Sequence, residues 1–198
     1  MIVVFRSPYC NYGAVSNMLE RMGMKYIVSS SISDFTNEIR LLILPGVSAF
    51  DPYIKYLKDT EFFDKILLRI KNNGLKVVGI CSGAQVMFES SDEGNEKGLG
   101  ILEGRVIKIR TNSDIPLPHI GWNTVKHLKT PPKLLKTTSN YYYFCHSFRF
   151  PNNKNAVAFT NYGEKIPVIV KKGSLTALQF HPEKSYIQGM QLFKWAIN

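Results

Sequence analysis

Short unbroken apolar blocks alternate with stretches of helical periodicity over the first half of the chain. Ile2 to Phe5 is a block of strand length without a polar interruption, as expected for a strand buried on both faces. The polar run from Ser7 reads as loop as far as Asn17. It overlaps a helical stripe of Val15, Met18, Leu19 and Met22, which Gly23 stops. Lys25 to Ser30 is a second strand, and Arg40 to Leu44 a third that ends in Pro45-Gly46-Val47-Ser48. Phe62, Ile66, Leu67 and Ile70 then mark one long helical region, closed by Asn73-Gly74. A fourth strand, Val77 onward, runs into Cys81 and a further helix. Strands alternating with helices predict an α/β fold: a doubly wound, mostly parallel central sheet with ligands at its carboxyl edge.

From residue 99 the pattern changes to short strands and turns. Strand-like runs cover 104–110, 123–128, 141–148, 156–162, 167–172 and 175–180, which predicts a mixed or antiparallel extension packed on the first sheet. Tyr141-Tyr142-Tyr143 reads as a strand making aromatic core contacts. The last helix, 185–197, carries Tyr186, Met190, Phe193 and Ile197 on one face, a stripe that docks it on the body. There is no repeat, low-complexity segment or linker, so residues 1–198 are expected to form a single domain with ample core at 44% hydrophobic content.

Composition excludes more than it specifies. The apolar start is short and ends at Arg6, so no signal peptide is expected, and no run approaches the roughly 20 apolar residues that a bilayer requires. Three cysteines without regular spacing suit a reducing cytoplasm rather than a disulfide framework, and no metal-ligand spacing is present. The net charge of +10 raises nucleic acid as a partner. The basic residues are scattered, however, and an acidic protein partner or an anionic substrate explains the charge equally well.

Two motifs carry chemistry. In Gly79-Ile80-Cys81-Ser82-Gly83 a strand turns sharply into a helix around a cysteine, the arrangement of a nucleophile elbow. Its neighbours at minus two and plus two must be nearly side-chain-free, and the helix N-terminus behind it favours thiolate over thiol. A buried structural cysteine beside two chance glycines is the alternative. The second motif, Gln179-Phe180-His181-Pro182-Glu183, decides between them. It follows a strand, so His181 falls at the same carboxyl edge as Cys81. A thiol nucleophile needs a base, and the base needs an acceptor that fixes its tautomer. Proline at 182 holds His181 and Glu183 on one side. Cys81, His181 and Glu183 therefore read as a triad.

The motifs at 44–50 (LPGVSAF), 79–85 (GICSGAQ), 88–106 (FESSDEGNEKGLGILEGRV), 118–123 (PHIGWN), 145–148 (CHSF) and 179–185 (QFHPEKS) run nearly end to end. Together they resemble class I glutamine amidotransferases, and within them the glutaminase subunits of imidazole glycerol phosphate synthase, the HisH family. The resemblance implies that Cys81 attacks the side-chain amide of glutamine, releasing ammonia and leaving a γ-glutamyl thioester. His181 serves as base and then acid, and Glu183 orients it. One oxyanion donor comes from the backbone of Ser82, where side-chain identity is expected to matter little. The other comes from the segment Gly46, Val47, Ser48, and Gln85 joins the substrate-binding set.

The resemblance also implies a separate cyclase subunit, with which the chain forms a heterodimer and to which it passes ammonia. No second substrate motif is present. His119, Gly121, Trp122, Asn123 and Lys184 match residues facing that partner. No cofactor, metal, nucleic acid or membrane is implied. The chain departs from the family pattern at Ser48 (usually glycine), at Ser82 and Ala84 (usually leucine and methionine), at Asn11-Tyr12-Gly13 (usually led by aspartate) and at Cys145 (usually aliphatic). These departures leave the triad intact. They keep a second acceptor open: a cyclase-like synthase that amidates an amino sugar for surface polysaccharide.

Overall fold

The computed structural model describes residues 1–111, 115–127 and 140–198. Its first half runs β1 (Ile2–Phe5), α1 (Tyr12–Arg21), β2 (Ile27–Ser29), β3 (Leu41–Leu44), α2 (Phe50–Asp59), α3 (Phe62–Asn73), β4 (Lys76–Ile80) and α4 (Ser82–Gln85). Its second half runs β5 (Ser90–Ser91), β6 (Arg105–Lys108), β7 (His119–Thr124), β8 (Lys126–His127), β9 (Tyr141–His146), β10 (Phe148–Arg149), β11 (Ala156–Tyr162), β12 (Glu164–Lys172), β13 (Leu175–Leu178) and α5 (Tyr186–Ile197).

Among the described residues eight strands form the central sheet, in the order β2-β1-β3-β4-β13-β12-β11-β8. The five from β2 to β13 are parallel, whereas β12, β11 and β8 add antiparallel to the β13 edge. The mixed extension thus continues the main sheet instead of lying on it. The rest of the second half makes two small sheets: a β7–β9 ribbon and the group β10-β6-β5. Alternate residues of β1 feed opposite layers, as the strand period of two requires. Val3 and Phe5 pack with Phe50, Tyr53 and Phe62 of α2 and α3, and Val4 packs with Val15, Leu19 and Phe193 of α1 and α5. Among the described residues no helix is long and apolar enough to cross a membrane.

Several boundaries differ from the sequence expectation for identifiable reasons. Helix α1 begins at Tyr12, well inside the expected loop, because the Asn11 side chain accepts the Ala14 N–H at 3.2 Å and caps it. The expected long helix is two. The Thr60 hydroxyl donates to the Tyr56 carbonyl at 2.7 Å, and Glu61 turns left-handed at φ 60° before α3 starts. Gly74, at φ 62°, ends α3 as anticipated. The run 141–148 splits at Ser147 into β9 and β10, which belong to different sheets. Of the run 123–128, Leu128 lies outside the described residues.

The tyrosine triplet alternates: Tyr142 is buried against Phe180, with ring centroids 4.4 Å apart, while Tyr141 is exposed. In the α5 stripe Phe193 and Ile197 are buried and Met190 packs against the core. Tyr186 instead is 74% exposed, and its ring stacks on Trp122 at 5.2 Å.

Candidate active site

Strand register builds the site. β4 lies between β3 and β13, with Gly79 opposite Leu44 on one side and Ala177 on the other. Their carboxyl ends therefore finish together, and Cys81, Pro45 and Gln179 leave the sheet side by side. The Cys81 N–H donates to the Leu178 carbonyl at 2.8 Å, which ties the elbow to the strand that delivers His181. Cys81 itself sits at φ 52°, ψ −116°, strained backbone for a residue with a side chain. The glycines are required by contact. A Cβ on Gly79 would strike the Ala84 Cα and the Gly83 carbonyl, and one on Gly83 would strike the Leu44 carbonyl.

His181 and Glu183 are joined by a 2.7 Å hydrogen bond from Nδ1 to Oε1, with both side chains 2% exposed. The bond assigns the Nδ1 proton and leaves Nε2 for the cysteine. Backbone anchors hold His181 in place: its N–H donates to the Tyr143 carbonyl at 2.9 Å, and the Ser185 hydroxyl donates to its carbonyl at 2.6 Å. Ser185 also accepts the Tyr143 N–H at 3.0 Å, so the last residue of QFHPEKS staples the histidine to β9. Burial opposes an imidazolium at His181, but the adjacent Cys81 sulfur and the Glu183 carboxylate outweigh it and raise its pKa.

The segment Gly46–Ser48 packs backbone to backbone on the elbow, where a Cβ at Gly46 would meet the Gly83 N and the Ser82 Oγ. Two of its three N–H groups, those of Val47 and Ser48, are engaged elsewhere. The Val47 N–H donates to the Tyr9 carbonyl at 3.2 Å, and the Ser48 N–H donates to the Ser82 Oγ at 3.2 Å. The side chain at 82 thus has a structural role that the sequence reading did not give it.

These groups line a cavity of about 380 Å³ containing Cys81, His181, Ser82, Gln85 and Glu93. Glu93 escaped the sequence reading, since nothing distinguishes it locally from the neighbouring carboxylates Glu89, Asp92 and Glu96. Its carboxylate accepts the Phe50 N–H at the start of α2, at 2.9 Å, and burial raises its pKa. The Gln85 amide reaches the Phe148 carbonyl at 3.0 Å and the Gln179 Oε1 at 3.2 Å.

The residues matched to a partner surface fall in two places. Trp122 and Lys184 are exposed, and the Lys184 ammonium lies 5.3 Å above the Tyr143 ring. Gly121, at φ 119°, and Asn123 are half-buried between them and the interior. His119 is 2% exposed, stacked between Phe144 and Tyr162 and facing His146. Burial lowers His119 to about 4 and His146 to about 3.

Both histidines bind a proton more readily in the unfolded chain, whose value is 6.5. Their contribution to stability is therefore full above pH 6.5 and is lost as the pH falls toward the folded values. Urea unfolding between pH 6.5 and 5 should show stability declining by up to about 1.4 kcal/mol per pH unit for each histidine. His181, shifted upward, acts above this window. A flat profile would contradict the neutral burial of the pair.

The class-I glutamine amidotransferase sequence profile matches residues 11–195. The chain is 38% identical over 192 residues to the imidazole glycerol phosphate synthase subunit HisH of Prochlorococcus marinus (strain MIT 9211), covering 93% of this chain and 90% of the relative. It is 37% identical over 199 residues to the HisH subunit of Staphylococcus aureus (strain bovine RF122 / ET3-1), covering 100% and 96%. Among solved structures, one described as a glutamine amidotransferase superposes with TM-score 0.76 at 18% identity, covering 100% of this chain and 97% of that one. PurLQS from Thermotoga maritima superposes with TM-score 0.72 at 20% identity, covering 100% and 97%; at such identities the likeness is one of fold. With strand order, elbow and family profile in agreement, the chain belongs to the class I glutamine amidotransferases and, among them, to the family of HisH subunits of imidazole glycerol phosphate synthase.

Proposed function

We propose that this chain hydrolyses glutamine through Cys81, His181 and Glu183 and delivers the ammonia to a separate cyclase subunit of imidazole glycerol phosphate synthase in the cytoplasm. The observation that carries the reading is the convergence of an elbow cysteine with a buried, carboxylate-paired histidine at one sheet edge. In the first step the Cys81 thiolate adds to the side-chain carbonyl carbon of glutamine while His181 holds the proton. The oxyanion forms beside the Ser82 N–H. His181 then protonates the departing nitrogen, ammonia leaves, and a γ-glutamyl thioester remains on the sulfur. Water, deprotonated by His181, attacks the thioester and returns glutamate and the free thiol. Glu93 supplies a negative charge in the same cavity for the α-ammonium of glutamine.

The partner surface we assign is the apolar rim around Trp122. Ile120, Trp122, Tyr186 and Ile187 are all exposed large hydrophobics on β7 and the start of α5. Lys184, exposed next to them, provides a charge at the rim. Such a patch is what a protein partner covers. The relatives favour the imidazole glycerol phosphate cyclase over an amino-sugar synthase as that partner.

The test uses the complex with its cyclase carrying Cys81→Ala. Synthesis should vanish with glutamine as nitrogen source and persist with high ammonium at alkaline pH, where free ammonia bypasses the glutaminase. Loss under both conditions would count against ammonia delivery as this chain's role.

A further inference from the structure

Cys145 takes no part in the steps above, yet it lines the same cavity as Cys81 and is exposed to solvent. It also stands where the chain departs from the pattern of its family. Strand β9 brings it there. The Tyr143 carbonyl accepts the His181 N–H, and two residues further along the strand the Cys145 carbonyl lies 3.6 Å from the Cys81 sulfur. Tyr142, Phe144 and His146 occupy the buried face of β9, so Cys145 belongs to the opposite, open face. Disulfides join cysteines whose Cα atoms lie within about 7 Å, and contact between one sulfur and the other residue's main chain is an approach of that order.

The surroundings of the two sulfurs suit different parts in a redox reaction. Cys81 lies beside His181, whose raised pKa keeps a positive charge next to the sulfur. Gln179 directs its Nε2 at the same sulfur from 4.0 Å. Both favour the thiolate, which is the form that peroxides oxidise. Cys145 is the accessible thiol next to the product of that oxidation. Cys10, by contrast, is half-buried against the core. Its sulfur accepts the Ser7 N–H at 3.3 Å, and burial raises its pKa.

We propose that Cys145 is the resolving cysteine of a reversible oxidation at Cys81, closing the active site as a Cys81–Cys145 disulfide when a peroxide is present. The inference rests on the reading of Cys81 as a thiolate nucleophile. The thiolate attacks the terminal oxygen of the peroxide: an S–O bond forms and the O–O bond breaks. The alkoxide or hydroxide leaves as alcohol or water with the proton held by His181. Cys81 is then a sulfenic acid. The Cys145 sulfur attacks it, an S–S bond forms, and the sulfenic oxygen leaves as water with the Cys145 proton. The two sulfurs together give up two electrons, and the peroxide takes them. A dithiol reduces the bridge again. Without a resolving thiol the sulfenic acid proceeds to sulfinic acid, which a dithiol does not reduce.

The test treats the full-length chain with hydrogen peroxide, with and without excess glutamine, and reads it by non-reducing peptide mass spectrometry. A portion is combined with the cyclase and assayed before and after dithiothreitol. The wild-type chain should yield a Cys81–Cys145 linked peptide, formed more slowly with glutamine in the cavity. Its glutaminase activity should be lost and then fully restored by dithiothreitol. In Cys145→Ser the linked peptide should be absent, Cys81 should carry sulfinic acid, and dithiothreitol should restore only a small part of the activity. The linked peptide is read in the wild-type chain, so that result does not depend on the variant folding. Oxidation of wild-type Cys81 without a link to Cys145, a bridge to Cys10 instead, or equal recovery in C145S would overturn the proposal. Absence of glutamine hydrolysis in the untreated wild-type complex would instead refute the glutaminase reading itself.

Discussion

Cys81→Ala is expected to abolish glutamine hydrolysis, with a loss of about 10⁶-fold in kcat, because removing the nucleophile of a triad leaves only binding and oxyanion stabilisation. The fold should survive, since the elbow is held by Gly79, Gly83 and the Cys81 N–H bond to Leu178, none of which involves the sulfur. His181→Ala should cost nearly as much, because one imidazole serves both thiolate formation and ammonia departure. Glu183→Gln should be milder, as a carboxamide oxygen still accepts the Nδ1 proton across the 2.7 Å contact. Steady-state glutaminase assays of the three variants check this order. An equally small effect of the His181 and Glu183 changes on kcat/KM would remove the triad.

The second large effect concerns the partner. The isolated chain should hydrolyse glutamine about 10²–10³-fold more slowly than the chain in complex with its cyclase and an acceptor analogue, the usual worth of one oxyanion donor. The cause lies in the engaged segment: the Val47 N–H is held by Tyr9 and the Ser48 N–H by the Ser82 hydroxyl. A partner state that turns one of these donors toward Cys81 couples acceptor binding to glutamine hydrolysis through the interface. Activity is therefore measured for the chain alone, with the cyclase, and with cyclase plus analogue. Equal rates in all three would refute the coupling.

The chemistry of this site was more legible in the sequence than its architecture. The elbow shows itself because two glycines at fixed spacing have no cheaper explanation once a His-Pro-Glu follows a strand. Cys81, His181 and Glu183 then meet through a strand register that the apolar blocks imply. What the sequence hides is contact between distant segments. Glu93 becomes a site residue only through the start of α2, and Ser82 gains its role only where Gly46 presses the next strand's loop onto the elbow. The split of 141–148 into two sheets, and the turn at Glu61 that divides the long helix, are tertiary decisions that local periodicity does not encode. His119 reads as a surface residue beside Trp122, yet the alternation of β7 turns it inward.

The central claim, that the thiol at the elbow is the nucleophile, is tested most directly by covalent trapping. The complex is treated with a diazoketone analogue of glutamine and the modified peptide identified by mass spectrometry. One adduct per chain, on Cys81 and suppressed by excess glutamine, is the expected result. An adduct on Cys10 or Cys145 with Cys81 unmodified would contradict the assignment.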